Sequence, residues 1–169
     1  MLSWLGRTRW AGILASALLC GLYAQGGAAW PLGFLALLPW LCTLGRERSL
    51  AAGLLSAWAM SVAFTAAVFG WFGGAIGGYT QLGTASGLAL LLLAAPLFQP
   101  QFIAFALTRQ WVGRRHGPLL TALAGAAAWV AAEALIPKLL GDTLGHGLHP
   151  SRLLRQAADL GGAAGLTLL

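Results

Sequence analysis

The sequence has little charge and very few acidic residues, which excludes most water-soluble architectures. Only 8% of its 169 residues are charged, and four are acidic. A soluble domain carries roughly a quarter charged residues, because its surface must be hydrated. In contrast, 59% of the residues are hydrophobic and the mean hydropathy is +0.78. The composition therefore predicts an integral membrane protein.

Cysteine is scarce as well, and this limits the chemistry that the chain can carry. The two cysteines, Cys20 and Cys42, lie within apolar stretches and have no basic neighbour in the sequence. Such thiols favour neither a disulfide framework nor a thiolate metal site, and they lack the electropositive surroundings of a reactive thiolate. We therefore expect no metal site, no cofactor and no catalytic residue in this chain.

The positive charge is arranged as a topology signal. Ten basic residues give a net charge of +6, but they form short clusters between apolar runs. The basic residues do not alternate with aromatic residues as on nucleic-acid-binding surfaces, so no nucleic-acid partner is expected. The positive-inside rule places the amino terminus and three clusters in the cytoplasm: Arg7 and Arg9; Arg46 and Arg48; and Arg109, Arg114 and Arg115. The longer segment 138–159 is then outside.

The apolar runs predict the fold class. A membrane-spanning helix needs about 20 apolar residues, and cutting the runs at glycine, proline and polar breaks predicts five full spans: residues 10–24, 30–44, 50–72, 82–107 and 117–136. A sixth begins near residue 160 and is only half the required length. We expect an all-α membrane protein in which residues 1–169 form a single transmembrane helical domain of about five full helices and the start of a sixth. We also expect the chain to be the front portion of a longer protein.

Three glycine pairs have the four-residue spacing that permits close helix packing in membranes. They are Gly70 and Gly74, Gly83 and Gly87, and Gly161 and Gly165. Packing is the simpler interpretation of these pairs. No internal repeat of the kind found in inverted-repeat transporters is apparent.

Glu133 is the ionisable residue that falls inside a predicted span, and such residues are functional candidates because burying their charge is costly. It lies near the outer interface, where water or Lys138 could satisfy it instead. Asp142, His146 and His149 follow it, but nearby glycines and Pro150 provide no rigid frame for a metal ion.

Aromatic residues near the predicted span ends, among them Trp71, Phe72 and Tyr79, have two interpretations. They are typical of the aromatic belts at membrane interfaces, and they could instead line a groove for lipid entry. Asp159 also has two interpretations: it could cap the sixth helix or pair with Arg155 one turn away.

Residues 127–169 resemble the apolipoprotein N-acyltransferase family around its fifth and sixth spans. That family has a glutamate near the end of the fifth helix and a Gln-x-Ala-Asp-x-x-Gly-x-x-Gly-like entry to the sixth. Glu133, Gln156, Asp159, Gly162 and Gly165 occupy those places. The stretches WPLGFLALLPW (30–40) and FGWFGGAIGGYT (69–80) extend the resemblance. After the glutamate this chain has IPKLLGDTL, where many members have Phe-Pro-Trp.

The resemblance implies a function that these residues do not complete alone. In that family such helices anchor an outward-facing nitrilase-like domain with a Glu-Lys-Cys triad in the bacterial inner membrane. A phospholipid acyl chain passes to the cysteine and then to the free α-amino group of a lipoprotein's diacylglyceryl-cysteine. We expect this chain to form the membrane cradle, with the nitrilase-like domain in a longer chain, and to be inactive by itself. The alternative is a non-catalytic membrane partner or a small transporter subunit.

Overall fold

The part of the chain that the structure describes is mainly helical. The computed structural model describes residues 2–47, 49–138 and 141–168, with side chains from Thr8 onward, and contains no strand in these ranges. The α-helices are α1 (Leu2–Ala24), α2 (Leu38–Leu44), α3 (Leu50–Thr80), α4 (Thr84–Phe98), α5 (Gln101–Gly113), α6 (Pro118–Leu135) and α7 (Arg152–Leu168). Two 3-10 helices cover Gly27–Phe34 and Leu144–Leu148.

The helices have the length and composition of membrane spans, which confirms the prediction of an all-α membrane protein. Within the described ranges, three helical segments are long and apolar enough to cross a membrane: Gly27–Leu44, Leu50–Thr80 and Pro118–Leu135. Together α4 and α5 form a fourth, bent by 41° at their junction, and Thr8–Ala24 is a shorter apolar helix. Each of these segments overlaps one of the five predicted runs, but three to four of them qualify as full spans and Thr8–Ala24 is shorter.

The predicted fourth span, residues 82–107, is interrupted in the structure by a proline-dependent break. Gln99 lies between α4 and α5 with φ −124° and ψ 57°, and Pro100 follows it. Proline disfavours helical geometry in the residue before it, because its ring clashes with that residue. The break leaves Gln99 and Gln101 buried inside the bundle.

The closest helix packing involves α3 and α4, through glycines of both helices. A Cβ on Gly87 would lie 2.2 Å from the carbonyl oxygen of Gly73 and 2.4 Å from the amide nitrogen of Gly77. Within the predicted Gly83–Gly87 pair, Gly87 is therefore a contact point. In contrast, a Cβ on Gly70 would meet nothing within 4 Å, so that position faces open space.

Replacing Gly87 with alanine is expected to lower the stability of the bundle by about 1–3 kcal/mol, since the new methyl group would push backbone against backbone. The change should appear as a lower melting temperature of the purified protein in detergent. Gly70→Ala is the matched control, because it adds the same methyl group to α3 without a contact. Equal melting temperatures for the two variants would contradict this packing.

α7 starts at Arg152 and is interrupted at Gly162, whose φ of 61° and ψ of −164° are non-helical and accessible mainly to glycine. An amphipathic helix therefore precedes Gly162, and a second, short helix follows it close to the start predicted near residue 160. Leu154 and Ala158, four residues apart, pack on the bundle, whereas Arg155 is exposed. This segment is an amphipathic helix with a charged face, so a search for charge-free runs does not detect its first turns.

Four basic side chains gather at one end of the bundle, which we call the basic end. Arg9 forms an ion pair with Glu47, with 2.5 Å between Nε and Oε1. Arg109 and Arg114 lie beside the 45–47 loop and contribute to the same surface depression as Glu47. Arg46 belongs to that loop, while Arg48 and the side chain of Arg7 lie outside the described residues.

Candidate functional site

A cavity of about 450 Å³ lies at the other end of the bundle, away from the basic end. Its walls come from α1, α3, α5 and α6, and the segment 142–150 covers part of it. The apolar wall includes Phe64, Val68, Phe69, Trp129 and Leu144, and the polar groups include Tyr23, Gln101, Glu133, Asp142, His146 and His149. A largely apolar cavity with a few convergent polar groups is the usual form of a small-ligand site.

Glu133 lines this cavity near the carboxyl end of α6, and its side chain is only 5% exposed. Its Oε1 accepts a hydrogen bond of 3.0 Å from Nε1 of Trp129, one turn earlier on the same helix. The same oxygen lies 3.5 Å from Nζ of Lys138. Lys138, one of the two partners suggested by the sequence, therefore lies beside Glu133.

Lys138 joins Glu133 to a second carboxylate. Its Nζ lies 3.5 Å from Oδ1 of Asp142 and donates a 2.6 Å hydrogen bond to the Asp142 main-chain oxygen. The Lys138 side chain is also only 5% exposed. Two carboxylates therefore share one buried ammonium group, and the three side chains carry a formal charge of −1.

The polar cluster continues to the break between α4 and α5. Gln99 Nε2 donates to Oδ2 of Asp142 at 3.4 Å, and Gln101 Nε2 donates to Oε1 of Gln99 at 2.5 Å. Gln99 and Gln101 are 2% and 1% exposed, so this connection is deep in the bundle. We call these five residues, Gln99, Gln101, Glu133, Lys138 and Asp142, the polar cluster.

Tyr23 of α1 forms a hydrogen bond to the segment 142–150, which covers part of the cavity. Its hydroxyl donates to the main-chain oxygen of Leu144. A Cβ on Gly33 would lie 2.7 Å from the Tyr23 ring, and one on Gly147 would lie 2.2 Å from it. A larger residue at Gly33 or Gly147 would therefore collide with the ring. Gly33 belongs to the first 3-10 helix and Gly147 to the second, so both 3-10 helices pack against Tyr23.

The other candidate residues lie outside the polar cluster. Trp71 lines the cavity, although its side chain is 69% exposed. Phe72 packs edge-on against Trp71, with 5.5 Å between the ring centroids. Tyr79 is 92% exposed. These positions agree with either a belt or an entry groove, and both remain predictions. Gln156 and Asp159 are exposed on α7.

Asp159 does not lie where a helix cap would be. It is inside α7, two turns after Arg152, because the helix begins before the apolar run. No ion pair joins it to Arg155, although both are among the described residues. The cap interpretation depended on a helix start near residue 160, whereas the pairing needed only a helix at these residues, which is present without the ion pair.

Gln99 and Gln101 belong to the polar cluster but are not among the residues predicted from the sequence. The sequence does indicate them, because QPQ at 99–101 interrupts an otherwise apolar predicted span. Polar residues within a span face the bundle interior and mark candidate functional positions. The search for ionisable residues passed over them because an amide carries no charge.

Metal-ligating residues do not converge in the part of the chain described here. No group of three His, Cys, Asp or Glu side chains in it could hold a metal ion. His146 Nδ1 accepts from the amide of Thr143 at 3.3 Å instead. Cys20 is buried at the cavity and Cys42 is exposed, and both are free thiols.

Comparison with known proteins identifies the family of this chain. No curated protein and no solved structure matches it significantly. The family described as the apolipoprotein N-acyltransferase N-terminal domain matches residues 4–169, which includes every helix around the cavity. The chain therefore belongs to the apolipoprotein N-acyltransferase N-terminal domain family.

Proposed function

We propose that this chain is the membrane domain of an apolipoprotein N-acyltransferase-like protein and forms a cradle for lipid. In this role it anchors a nitrilase-like domain and presents lipid chains for phospholipid-dependent N-acylation of the diacylglyceryl-cysteine of lipoproteins. It acts in the bacterial inner membrane as a multi-pass protein with a cytoplasmic amino terminus. The observation that carries the proposal is the cavity, which joins an apolar wall to a polar cluster.

The shape of the cavity suits a lipid molecule. Phe64, Val68 and Phe69 of α3 line one side of the cavity. Glu133 and Asp142 line the same space. An amphipathic ligand can bury its chain against the aromatic and aliphatic side chains and leave its head beside polar atoms, as is typical of small-ligand sites.

The arrangement of charge supports the proposed orientation. Arg9, Arg46, Arg109 and Arg114 are at the basic end, and the cavity is at the opposite end. With the basic end in the cytoplasm, as the positive-inside rule requires, the cavity opens toward the outer leaflet. Lipoprotein N-acylation by an outward-facing catalytic domain needs its lipids on that side.

The proposal assigns no catalytic residue to this chain. Cys20 is 1% exposed and belongs to the apolar core of the described residues, surroundings that do not stabilise a thiolate. The residues of the cavity bind and orient lipid, and the covalent chemistry belongs to the nitrilase-like domain. Trp71, Phe72 and Tyr79 are proposed to contact lipid at the mouth of the cavity.

Filling the cavity should prevent lipid binding. Val68→Trp adds a large side chain to the apolar wall, and we expect it to reduce phospholipid retention by the detergent-purified chain about tenfold, the equivalent of roughly 1.4 kcal/mol of lost contact. Retention is measured by native mass spectrometry of the protein with its bound lipids.

Leu93→Trp is the matched control, because Leu93 is on α4, 77% exposed and outside the cavity. It should leave retention unchanged. If Val68→Trp retains as much phospholipid as Leu93→Trp, the cavity is not the lipid site and the proposed function loses its main support.

A further inference from the structure

Two arginines at the basic end have no acidic partner within the described part of the chain. The structure describes all four acidic residues of the sequence: Glu47, Glu133, Asp142 and Asp159. Glu47 lies at the basic end, where its two oxygens accept hydrogen bonds from Arg9, at 2.5 Å from Nε and 2.9 Å from Nη2. No ion pair joins Arg109 or Arg114 to any of these carboxylates. Both guanidinium groups are therefore left without a counter-charge.

Arg109 and Arg114 line a groove on the surface of the bundle. It consists of two adjoining depressions of about 230 and 300 Å³, both lined by Gln110 and Arg114. The smaller one lies between the 45–47 loop, α5 and the first turn of α6, and it includes Arg109. The larger one lies between the start of α3 and α5. We call this feature the basic groove and define it by six residues: Leu50, Leu107, Arg109, Gln110, Trp111 and Arg114.

The larger depression forms an apolar half of the basic groove. Its apolar residues Leu50, Leu107 and Trp111 are 43%, 39% and 66% exposed. Leu107 and Trp111 are four residues apart on α5 and therefore lie on one face of that helix. Tryptophan is enriched at the depth of the lipid head groups, as expected for a groove at the membrane interface. The groove thus joins an accessible apolar surface to two arginines without a counter-charge.

The contacts of α5 with the α2–α3 connection fix the shape of the groove. A Cβ on Gly45 would lie 3.1 Å from Nη2 of Arg109, so the guanidinium group lies close over the loop backbone. The next residue, Gln110, donates from Nε2 to the main-chain oxygen of Ser49 at 3.1 Å. These two contacts hold Arg109 and Gln110 beside the start of α3.

We propose that the basic groove binds an anionic phospholipid, with its phosphate at Arg109 and Arg114 and an acyl chain along the apolar half. Arginine donates charge-assisted hydrogen bonds to phosphate oxygens, often two at a time. Basic pockets between membrane helices bind anionic lipid head groups in the same way. An acidic protein segment would match the charge but not the apolar half, and a zwitterionic lipid already carries a cation beside its phosphate.

This lipid is separate from the substrate lipid of the proposed cradle. The basic groove and the cavity have no lining residue in common among the described residues, and they lie at opposite ends of the bundle. The proposed orientation puts the groove in the cytoplasmic leaflet, away from an outward-facing catalytic domain. The bound lipid would therefore fasten the 45–47 loop to α5 rather than donate an acyl chain.

The test compares two phospholipids that differ in net charge. The detergent-purified chain is equilibrated with equal amounts of glycerol and choline phospholipids that have identical acyl chains, and retained lipid is quantified by native mass spectrometry. The same measurement is made on Val68→Trp, in which the cavity is filled. We expect the anionic glycerol lipid to be preferred by about tenfold or more in both proteins, since each arginine near a lipid phosphate contributes about fivefold. Inorganic phosphate in excess should not displace it, because phosphate lacks acyl chains.

Substitution of the arginines tests the groove directly. Arg114→Gln should lower the preference by about fivefold, and the exposure of Arg114 means that the core is left intact. Arg109→Gln should have a similar effect. Arg115→Gln is the matched control, because it removes the same charge at the next position, which is exposed and lines neither depression. It should change the preference by about twofold or less, since solvent and salt screen a charge outside the site.

The outcomes distinguish this site from the proposed cradle. Equal losses for Arg114→Gln and Arg115→Gln would show that the charge of the basic end acts diffusely, which overturns the groove. Displacement by inorganic phosphate would show an anion site rather than a lipid site and overturns it as well. A preference that disappears in Val68→Trp places the anionic lipid in the cavity instead. If the preference persists while Val68→Trp retains as much total lipid as Leu93→Trp, the groove stands and the cradle is wrong.

Discussion

Replacing Trp40 with alanine should lower the free energy of unfolding by about 3–5 kcal/mol, the usual cost of removing a large buried aromatic side chain. Trp40 is 0% exposed and contacts the rings of Phe102 and Phe105 at 5.5 and 5.8 Å. Its Nε1 donates to Ser56 Oγ at 3.1 Å. The substitution leaves a cavity and an unpaired serine between α2, α3 and α5.

The loss should be measured as a shift in the unfolding transition of the purified protein in mixed micelles with a denaturing detergent. Trp111→Ala is the control, because Trp111 is 66% exposed on α5. Trp40→Phe should have an intermediate effect, since it keeps most of the ring volume and loses the hydrogen bond to Ser56. A Trp40→Ala protein as stable as Trp111→Ala would show that Trp40 is not a central packing residue.

The loss of Lys138 should be comparably severe. Lys138→Met removes the ammonium group and keeps the length of the side chain, which leaves the buried Glu133 and the partly buried Asp142 without their shared cation. Breaking a buried ion pair by removing one partner typically costs 3–5 kcal/mol. We expect a loss of about that size in the free energy of unfolding, measured in the same way as for Trp40.

A double substitution separates the charge effect from a loss of packing. Lys138→Met combined with Glu133→Gln leaves one carboxylate, that of Asp142, and should recover at least about 1 kcal/mol of the loss, since neighbouring charges are not additive. Arg155→Met on the exposed face of α7 is the control for removing a cation. If the double variant is less stable than Lys138→Met alone, the cost lies in packing rather than in the unpaired charge.

The segment IPKLLGDTL, after the carboxyl end of α6, carries both Lys138 and Asp142. It supplies the cation at 3.5 Å from Glu133 and the carboxylate that accepts a hydrogen bond from Gln99. The electrostatics of the cavity therefore depend on this segment as well as on the helices around it.

Much of the architecture follows from composition and pattern. Charged residues are too few for a soluble surface, and runs of apolar residues between basic clusters predict helices that cross a membrane. Glu133 was found as a candidate because an ionisable residue inside an apolar run is costly. The inferences from composition and apolar runs depend on local sequence alone, which is why they agree with the helical structure, whereas a functional role for Glu133 stays a prediction.

The boundaries of the elements were less predictable, for local physical reasons. The break at Gln99 depends on the proline after it, and the early start of α7 depends on an amphipathic pattern that contains charges. A rule that seeks long uncharged runs merges α4 with α5 and begins α7 too late. Cap, proline and periodicity signals would have corrected both positions.

The sequence by itself determined that the chain is a helical membrane protein, that it has about five apolar segments, and that it resembles one family. Only the tertiary structure decided which residues meet. Gln99 donates to Asp142, which lies 43 positions later in the chain, and Gly87 packs on Gly73 and Gly77 rather than on Gly70. Spacing along one helix specifies a face, but the partner of that face depends on how separate helices pack. The burial of Glu133 Oε2 without a hydrogen-bond partner among the described residues arises only from that packing.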